Sequence, residues 1–283
     1  MPLKKIRDIF IQKLAPIYDA AEADNIFHLV IENLTGIPLR QNFPSTFNPD
    51  ECFRKMMDKI TGRLLNNEPI QYILNEAWFY DIPFYVNPSV LIPRPETEEL
   101  VDWIIKENSN KSNLVVLDVG TGSGCIPIIL KRKLPFAEVI ACDISADALA
   151  VAKKNADRHQ AEIKLIEADF LSENERRQWP KMDILVSNPP YIPEADKANM
   201  QKNVLMFEPH QALFVPNDSP LVFYQAIAEA GKELLLSNGC IYVEIHENWG
   251  PQTLRLFENR GYKAMLKKDL QGKNRFIKAM IDE

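Results

Sequence analysis

Cysteine is scarce in this 283-residue chain: Cys52, Cys125, Cys142 and Cys240 stand far apart, with no C-x-x-C spacing. Such a pattern suggests neither a zinc site nor a disulfide framework. Long hydrophobic runs are also missing, none reaching the length needed to cross a bilayer. The opening residues, Met1-Pro2-Leu3-Lys4-Lys5-Ile6-Arg7-Asp8, alternate charge with apolar side chains where a signal peptide would have an apolar core. A cytoplasmic protein with no membrane partner is expected. Excess positive charge is absent too, with 33 Lys and Arg against 39 Asp and Glu and a net charge of −6, which argues against a sequence-independent grip on phosphate backbones. There is no internal repeat and no low-complexity stretch. What the chain does have is bulk: 46% hydrophobic residues over this length can bury a large core in one or two domains.

Glycine is uncommon, ten in all, yet three of the ten fall within Gly120-Thr121-Gly122-Ser123-Gly124. The loop follows the apolar strand Leu114-Val115-Val116-Leu117-Asp118-Val119 and precedes the apolar run Cys125 to Leu130. Glycines there let the backbone turn sharply and approach a ligand closely. The spacing G-x-G-x-G departs from the G-x-G-x-x-G dinucleotide fingerprint, and no Walker lysine follows. A second strand, Val139-Ile140-Ala141-Cys142, ends in Asp143, whose carboxylate lies where it can accept hydrogen bonds from ribose hydroxyls. These residues point to a nucleoside ligand without a pyrophosphate.

A third apolar strand, Asp183-Ile184-Leu185-Val186-Ser187, runs into Asn188-Pro189-Pro190-Tyr191. Asn188 offers a side-chain oxygen and Pro189 a carbonyl on a backbone with fixed φ and no N–H. Two acceptors converging on a small space suit a planar NH2 group, with the Tyr191 ring as its cover. A turn after a buried strand is the alternative, since Asn, Pro and Tyr all occur in turns.

The chain divides into a helical block over residues 1–74, an extended segment over 75–92 and an α/β domain over 93–283. In the first block, apolar residues recur at helical intervals in Leu3, Ile6, Phe10, Leu14 and in Ile26, Leu29, Val30, Leu34, the second helix stopping at Gly36 before Pro38. A third helix begins near Asn48-Pro49-Asp50, with Asn48 as cap, Pro49 as first helical residue, and Cys52, Phe53, Met56, Ile60 and Leu64 on its apolar face. Nine basic residues balance nine acidic ones in this block, so it reads as a protein-docking module, or else as a lid that stabilises the rest. Residues 78–86 form a hairpin around Asp81-Ile82-Pro83, and a helix starts at Glu96 with Arg94 paired to its acidic first turn. Beyond it, helices over 126–134, 146–159, 221–236 and 253–260 alternate with strands over 163–166, 184–186, 241–245, 262–267 and 276–281.

The glycine loop, Asp143 and the Asn-Pro-Pro-Tyr run, in that order, resemble the class I S-adenosylmethionine-dependent methyltransferases, and the branch that methylates planar nitrogens. Four further segments widen the likeness: Glu68-Pro69-Ile70-Gln71-Tyr72-Ile73, the run Val90 to Glu98 containing Pro93-Arg94-Pro95-Glu96-Thr97-Glu98, the run Glu208-Pro209 to Leu213, and Asp269-Leu270-Gln271-Gly272-Lys273-Asn274-Arg275. With them, nearly the whole chain resembles the peptide chain release factor glutamine methyltransferase family. The resemblance implies a Rossmann-like seven-stranded sheet with its last strand antiparallel, the ligand lying across the carboxyl ends of its first strands.

It also implies a set of roles. Gly120, Thr121, Gly122, Ser123 and Gly124 approach the methionine part of S-adenosylmethionine, with Asp118 orienting the loop, and Asp143 holds the ribose. Phe170 stacks on adenine, or is simply a core aromatic; Asp169 accepts from the adenine amino group, or caps the following turn. Asn188, which also touches the cofactor, acts with Pro189 and Tyr191 in catalysis, and Pro190 helps line the substrate pocket. The product pair would be N5-methylglutamine and S-adenosylhomocysteine, the substrate the Gly-Gly-Gln loop of class I release factors. No strong base and no metal is needed, so His28, His159, His210 and His246 are not catalysts, His159 ending a helix at the surface. Alternatives are a ribosomal-protein glutamine or, with neither basic groove nor base-recognition domain in view, an adenine N6. Two segments depart from the family pattern, 214–220 and 244–249.

Overall fold

The computed structural model describes residues 2–37, 47–176 and 179–281, in two compact units. The first unit gathers residues 1–76 and 201–207. Helix α1 (Leu3–Leu14) buries Ile6, Phe10 and Leu14 on one face, as the periodicity predicts. Helix α2 (Ala20–Thr35) is capped by Asp19, which accepts from Glu22 N–H, and ends at Gly36 in the left-handed conformation that favours glycine (φ 68°). The stop assigned to Pro38 lies outside the described residues. Helix α3 (Glu51–Leu65) starts later than the sequence suggests. Its cap is Asp50, whose carboxylate accepts from Phe53 N–H at 2.7 Å and complements the helix dipole, a stronger cap than the Asn48 amide two residues earlier. A short α4 (Ile70–Leu74) completes this part of the unit. The buried stripes are rotated from those expected: Leu29, Cys52 and Met56 are exposed, whereas Phe27, Ile31, Met57 and Thr61 face inward.

The second unit, residues 77–200 and 208–283, opens with an antiparallel hairpin of β1 (Ala77–Phe79) and β2 (Ile82–Phe84). Its turn is Tyr80-Asp81, both at positive φ (53° and 61°), the geometry of a two-residue hairpin loop matched to strand twist. Ile82 and Pro83, expected in the turn, belong to the strand. Nor does the hairpin behave as a linker: Phe79 and Phe84 are fully buried in a core shared with Leu100, Ile104 and Ile128. His159 is correspondingly half-buried, bonding through Nε2 to the Pro83 carbonyl (2.9 Å) and packing on Phe84.

The rest alternates helix and strand: α5 (Pro95–Asn108), β3 (Val115–Val119), α6 (Cys125–Lys133), β4 (Glu138–Asp143), α7 (Ala146–Arg158), β5 (Lys164–Glu167), α8 (Glu173–Arg176), β6 (Met182–Ser187), β7 (Ile192–Pro193), α9 (Lys202–Phe207, grouped with the first unit), β8 (Phe214–Val215), α10 (Val222–Leu234), β9 (Leu235–Glu244), α11 (Gly250–Glu258), β10 (Tyr262–Lys268) and β11 (Asn274–Ile281). Strands β7 and β8 pair with each other. The main sheet has seven strands in the order β10-β11-β9-β6-β3-β4-β5. Only β11, the last in the chain, runs antiparallel to its neighbours. Covered by helices on both faces, the central strands read as continuous apolar runs. The chain lays down β3, β4 and β5 in one direction, then returns to place β6 on the other side of β3. Strand order reverses between β3 and β6, and a crevice opens outside their carboxyl ends.

Candidate active site

A cavity of about 540 Å³ occupies that crevice, lined by the glycine loop after β3, by Asp143 after β4, and by Asn188, Pro189 and Pro190 after β6. The loop is fastened from the β4 side. Gly120 and Thr121 N–H both donate to the Cys142 carbonyl (2.9 Å), and Gly122 N–H donates to Asp143 Oδ2 (2.9 Å). Gly120, Gly122 and Gly124 all have positive φ (72°, 52° and 80°), and a Cβ on Gly124 would stand 3.1 Å from that of Ala152. Asp143 is the carboxylate bonded to the loop's backbone, and it also accepts from Ser145 N–H at 3.0 Å. Asp118 is fully buried at the end of β3, with the Thr121 hydroxyl as its polar neighbour. Burial pushes the Asp118 carboxyl up to about 7.

Phe170 is buried in the core, edge-on to Trp179 at 6.2 Å, and it also lines the cavity. Asp169 turns Oδ1 to the Leu171 N–H (2.9 Å), the turn-capping arrangement. Thr121 and Ser123 also line the cavity. Asn155, buried in α7 and missed in the sequence, binds Ser123 O (2.8 Å) and both backbone groups of Tyr85, tying the loop to the segment after the hairpin. A polar residue in the middle of an amphipathic helix was its only signal.

At the acceptor end, Asn188 Nδ2 donates to Thr97 Oγ1 at 3.1 Å, and Thr97 donates to Glu244 Oε2 at 2.7 Å. Tyr191 O–H donates to the other oxygen of Glu244 at 3.2 Å, its ring set edge-on to His246. Tyr191, expected as the cover of an NH2 group, is not among the residues lining the cavity, and its hydroxyl is turned to Glu244. Its hydroxyl had a buried acceptor to satisfy. Burial pushes the Tyr191 hydroxyl up, and Glu244 up to about 7. Ser187 Oγ bonds to Val119 O (2.7 Å), locking the ends of β6 and β3 together. Arg94 pairs with Glu208 (2.6 Å) and not with the first turn of α5, while the second Glu208 oxygen takes Ile92 N–H at 3.2 Å. Glu208 is buried and needs a cation, whereas Glu96 and Glu98 have solvent within reach. Among the described residues no cluster of His, Cys, Asp or Glu could hold a metal ion, and no helix is long and apolar enough to cross a membrane.

This sheet order, with a glycine loop after its first parallel strand and an Asn-Pro-Pro-Tyr run after its fourth, defines a class I methyltransferase. A family model described as a methyltransferase small domain matches residues 97–214. The chain is 43% identical to the release factor glutamine methyltransferase of Flavobacterium psychrophilum, over 98% of its own length and 99% of the relative's. It is likewise 43% identical to that of Bacteroides thetaiotaomicron, over 95% and 96%. Among solved structures, a methyltransferase from Pyrococcus furiosus superposes with a TM-score of 0.51 at 15% identity, covering 80% of this chain and all of that one, a likeness of fold. The chain belongs to the release factor glutamine methyltransferase family.

Proposed function

We propose that the protein transfers the methyl group of S-adenosylmethionine to the side-chain amide nitrogen of the glutamine in the Gly-Gly-Gln loop of class I release factors, yielding N5-methylglutamine and S-adenosylhomocysteine. The observation that carries this reading is the orientation of Asn188: its nitrogen is held by Thr97, which leaves Oδ1 as an acceptor at the cavity. The residues of the loop fit the cofactor. Left-handed glycines leave the backbone bare at the cavity, Asp143 at the end of β4 offers a carboxylate to ribose hydroxyls, and Phe170 offers a ring. When bound, the cofactor supplies an electrophilic methyl on a sulfonium.

An amide nitrogen is a poor nucleophile because its lone pair is delocalised into the carbonyl. Asn188 Oδ1 and the Pro189 carbonyl accept its two N–H groups, fix its plane and stabilise the positive charge that builds on nitrogen as the bond forms. The proton becomes acidic only then, so no strong base is required. Pro190 shapes the pocket, and Tyr191 acts from behind through Glu244. The helical block, with balanced charge, docks the folded substrate.

Methyl transfer from labelled cofactor to purified release factor, ribosomal proteins and DNA in parallel tests the substrate: label is expected in the release factor, and label confined to ribosomal protein or DNA would reject it. Deleting residues 1–74 should spare cofactor binding and strongly reduce methylation of the intact factor, because remote binding energy positions the glutamine. Equal activity of the truncated and full-length enzymes would reject the docking role.

A further inference from the structure

We propose that Thr97 and Glu244 are positioning residues that determine which end of the Asn188 side-chain amide faces the substrate. The inference rests on the glutamine-methylating reading above. The two ends of an asparagine amide have nearly the same shape, but one only accepts and the other only donates. Against a substrate NH2 group, the oxygen binds and the nitrogen repels. Shape alone cannot choose between them, so the choice falls to the hydrogen bonds behind Asn188.

Those bonds form a chain with one direction. Glu244, 1% exposed at the end of β9, receives the Thr97 hydroxyl on one oxygen at 2.7 Å and the Tyr191 hydroxyl on the other at 3.2 Å. The single hydroxyl proton of Thr97 is thereby committed to Glu244. Only lone pairs remain at Oγ1 for Asn188, 3.1 Å away, and Nδ2 must turn towards them. Oδ1 is left for the cavity. Glu244 does not line that cavity; it acts through Thr97, which sits on the first turn of α5 beside the Pro-Arg-Pro segment. This gives the Thr of that segment and the lone carboxylate of an apolar strand a shared purpose that neither shows in sequence.

The direction depends on the charge of Glu244. Around it stand Thr97 and Glu96 of α5, Tyr191 after β6, Tyr224 of α10, whose hydroxyl donates to the Glu244 carbonyl at 3.0 Å, and Arg275 of β11. An ionised carboxylate only accepts, so both hydroxyls point at it. A protonated one must donate to a neighbour, and donation to Thr97 reverses the chain and turns the Asn188 N–H groups towards the substrate. Burial places this titration at about 7.

The test measures kcat for methylation of intact release factor by full-length Thr97→Val, Thr97→Ser, Glu244→Gln and Asn188→Ala enzymes whose folding is checked by thermal melting. Thr97→Val, equal in shape but without the hydroxyl, is expected to lower kcat by roughly 10–100-fold, and Thr97→Ser to restore it to within about threefold. Wild-type kcat should rise with pH through about 7, and Glu244→Gln should flatten that limb between about pH 6 and about pH 8. The relay alone is overturned if Thr97→Val keeps wild-type kcat while Asn188→Ala loses it, or if Thr97→Ser is as poor as Thr97→Val. A fully active Asn188→Ala enzyme would overturn the acceptor reading together with the relay. Should Thr97→Val fail to fold, the serine variant and the Glu244→Gln pH profile decide.

Discussion

The two loops that meet at the crevice are built on opposite plans. After β3 the glycine loop is shaped by backbone: left-handed glycines, amides tied to Cys142 and Asp143, and the buried Asp118 carboxylate facing the Thr121 hydroxyl. After β6 the acceptor loop is shaped by side chains, and Asn188, Thr97, Tyr191 and Glu244 are joined by hydrogen bonds that fix the Asn188 amide. The first presents bare backbone to the cavity. The second fixes the side chain that faces outward. Close approach of a ligand calls for bare backbone, whereas aiming a weak nucleophile calls for a group with no freedom to turn.

If that contrast is right, the largest effect belongs to Asp118. Folding raises its carboxyl from the ordinary 3.8 to about 7, so between those values the folded chain holds a proton that the unfolded chain has lost. This contribution is fully present below about pH 4 and is lost as pH rises through about 7, a change on the order of 4 kcal/mol at most. Urea unfolding of cofactor-free Asp118→Asn should therefore show less loss of stability between about pH 5 and about pH 8 than wild type. Identical pH slopes would mean that Asp118 is not a buried acid.

Next comes the acceptor itself. Asn188→Ala should lower single-turnover methyl transfer by on the order of 10²-fold while the fold persists, since one of the two amide acceptors is gone. The contrast breaks if a folded Asn188→Ala enzyme turns over normally.

A smaller effect is expected at Asp143, which serves both loop and ligand. Removing its carboxylate by Asp143→Ala should weaken S-adenosylmethionine binding by roughly 1.5–3 kcal/mol, the scale of a charge-assisted hydrogen bond. Calorimetry reads it directly. Unchanged affinity, or tight binding of a nicotinamide dinucleotide, would show that the glycine loop serves another ligand.

Local chemistry was legible from the chain. The strands, the glycine turn, Gly36 as a helix stop and the order of helices and strands follow from periodicity and backbone preference, which act over a few residues. What sequence could not supply were partners chosen at long range. Arg94 faces two nearby carboxylates in sequence and takes Glu208 instead, 114 residues away. Tyr191 belongs to its motif by position, but its hydroxyl answers to Glu244, 53 residues on. Asp118 and Asp143 both end strands, and only the pairing of β3 with β4 decides which one reaches Gly122. In the helical block, Cys52 and Met56 fit an apolar stripe as well as Met57 does, and the packing of neighbouring helices chose among them.

The most direct test of the account locates the methyl group. Intact release factor treated with wild-type and with Asn188→Ala enzyme is digested and sequenced by fragmentation mass spectrometry. The account predicts one added methyl on the side-chain nitrogen of the Gly-Gly-Gln glutamine with wild type, and its near-absence with Asn188→Ala after the same time. A methyl on any other residue, or equal modification of that glutamine by both enzymes, would contradict it.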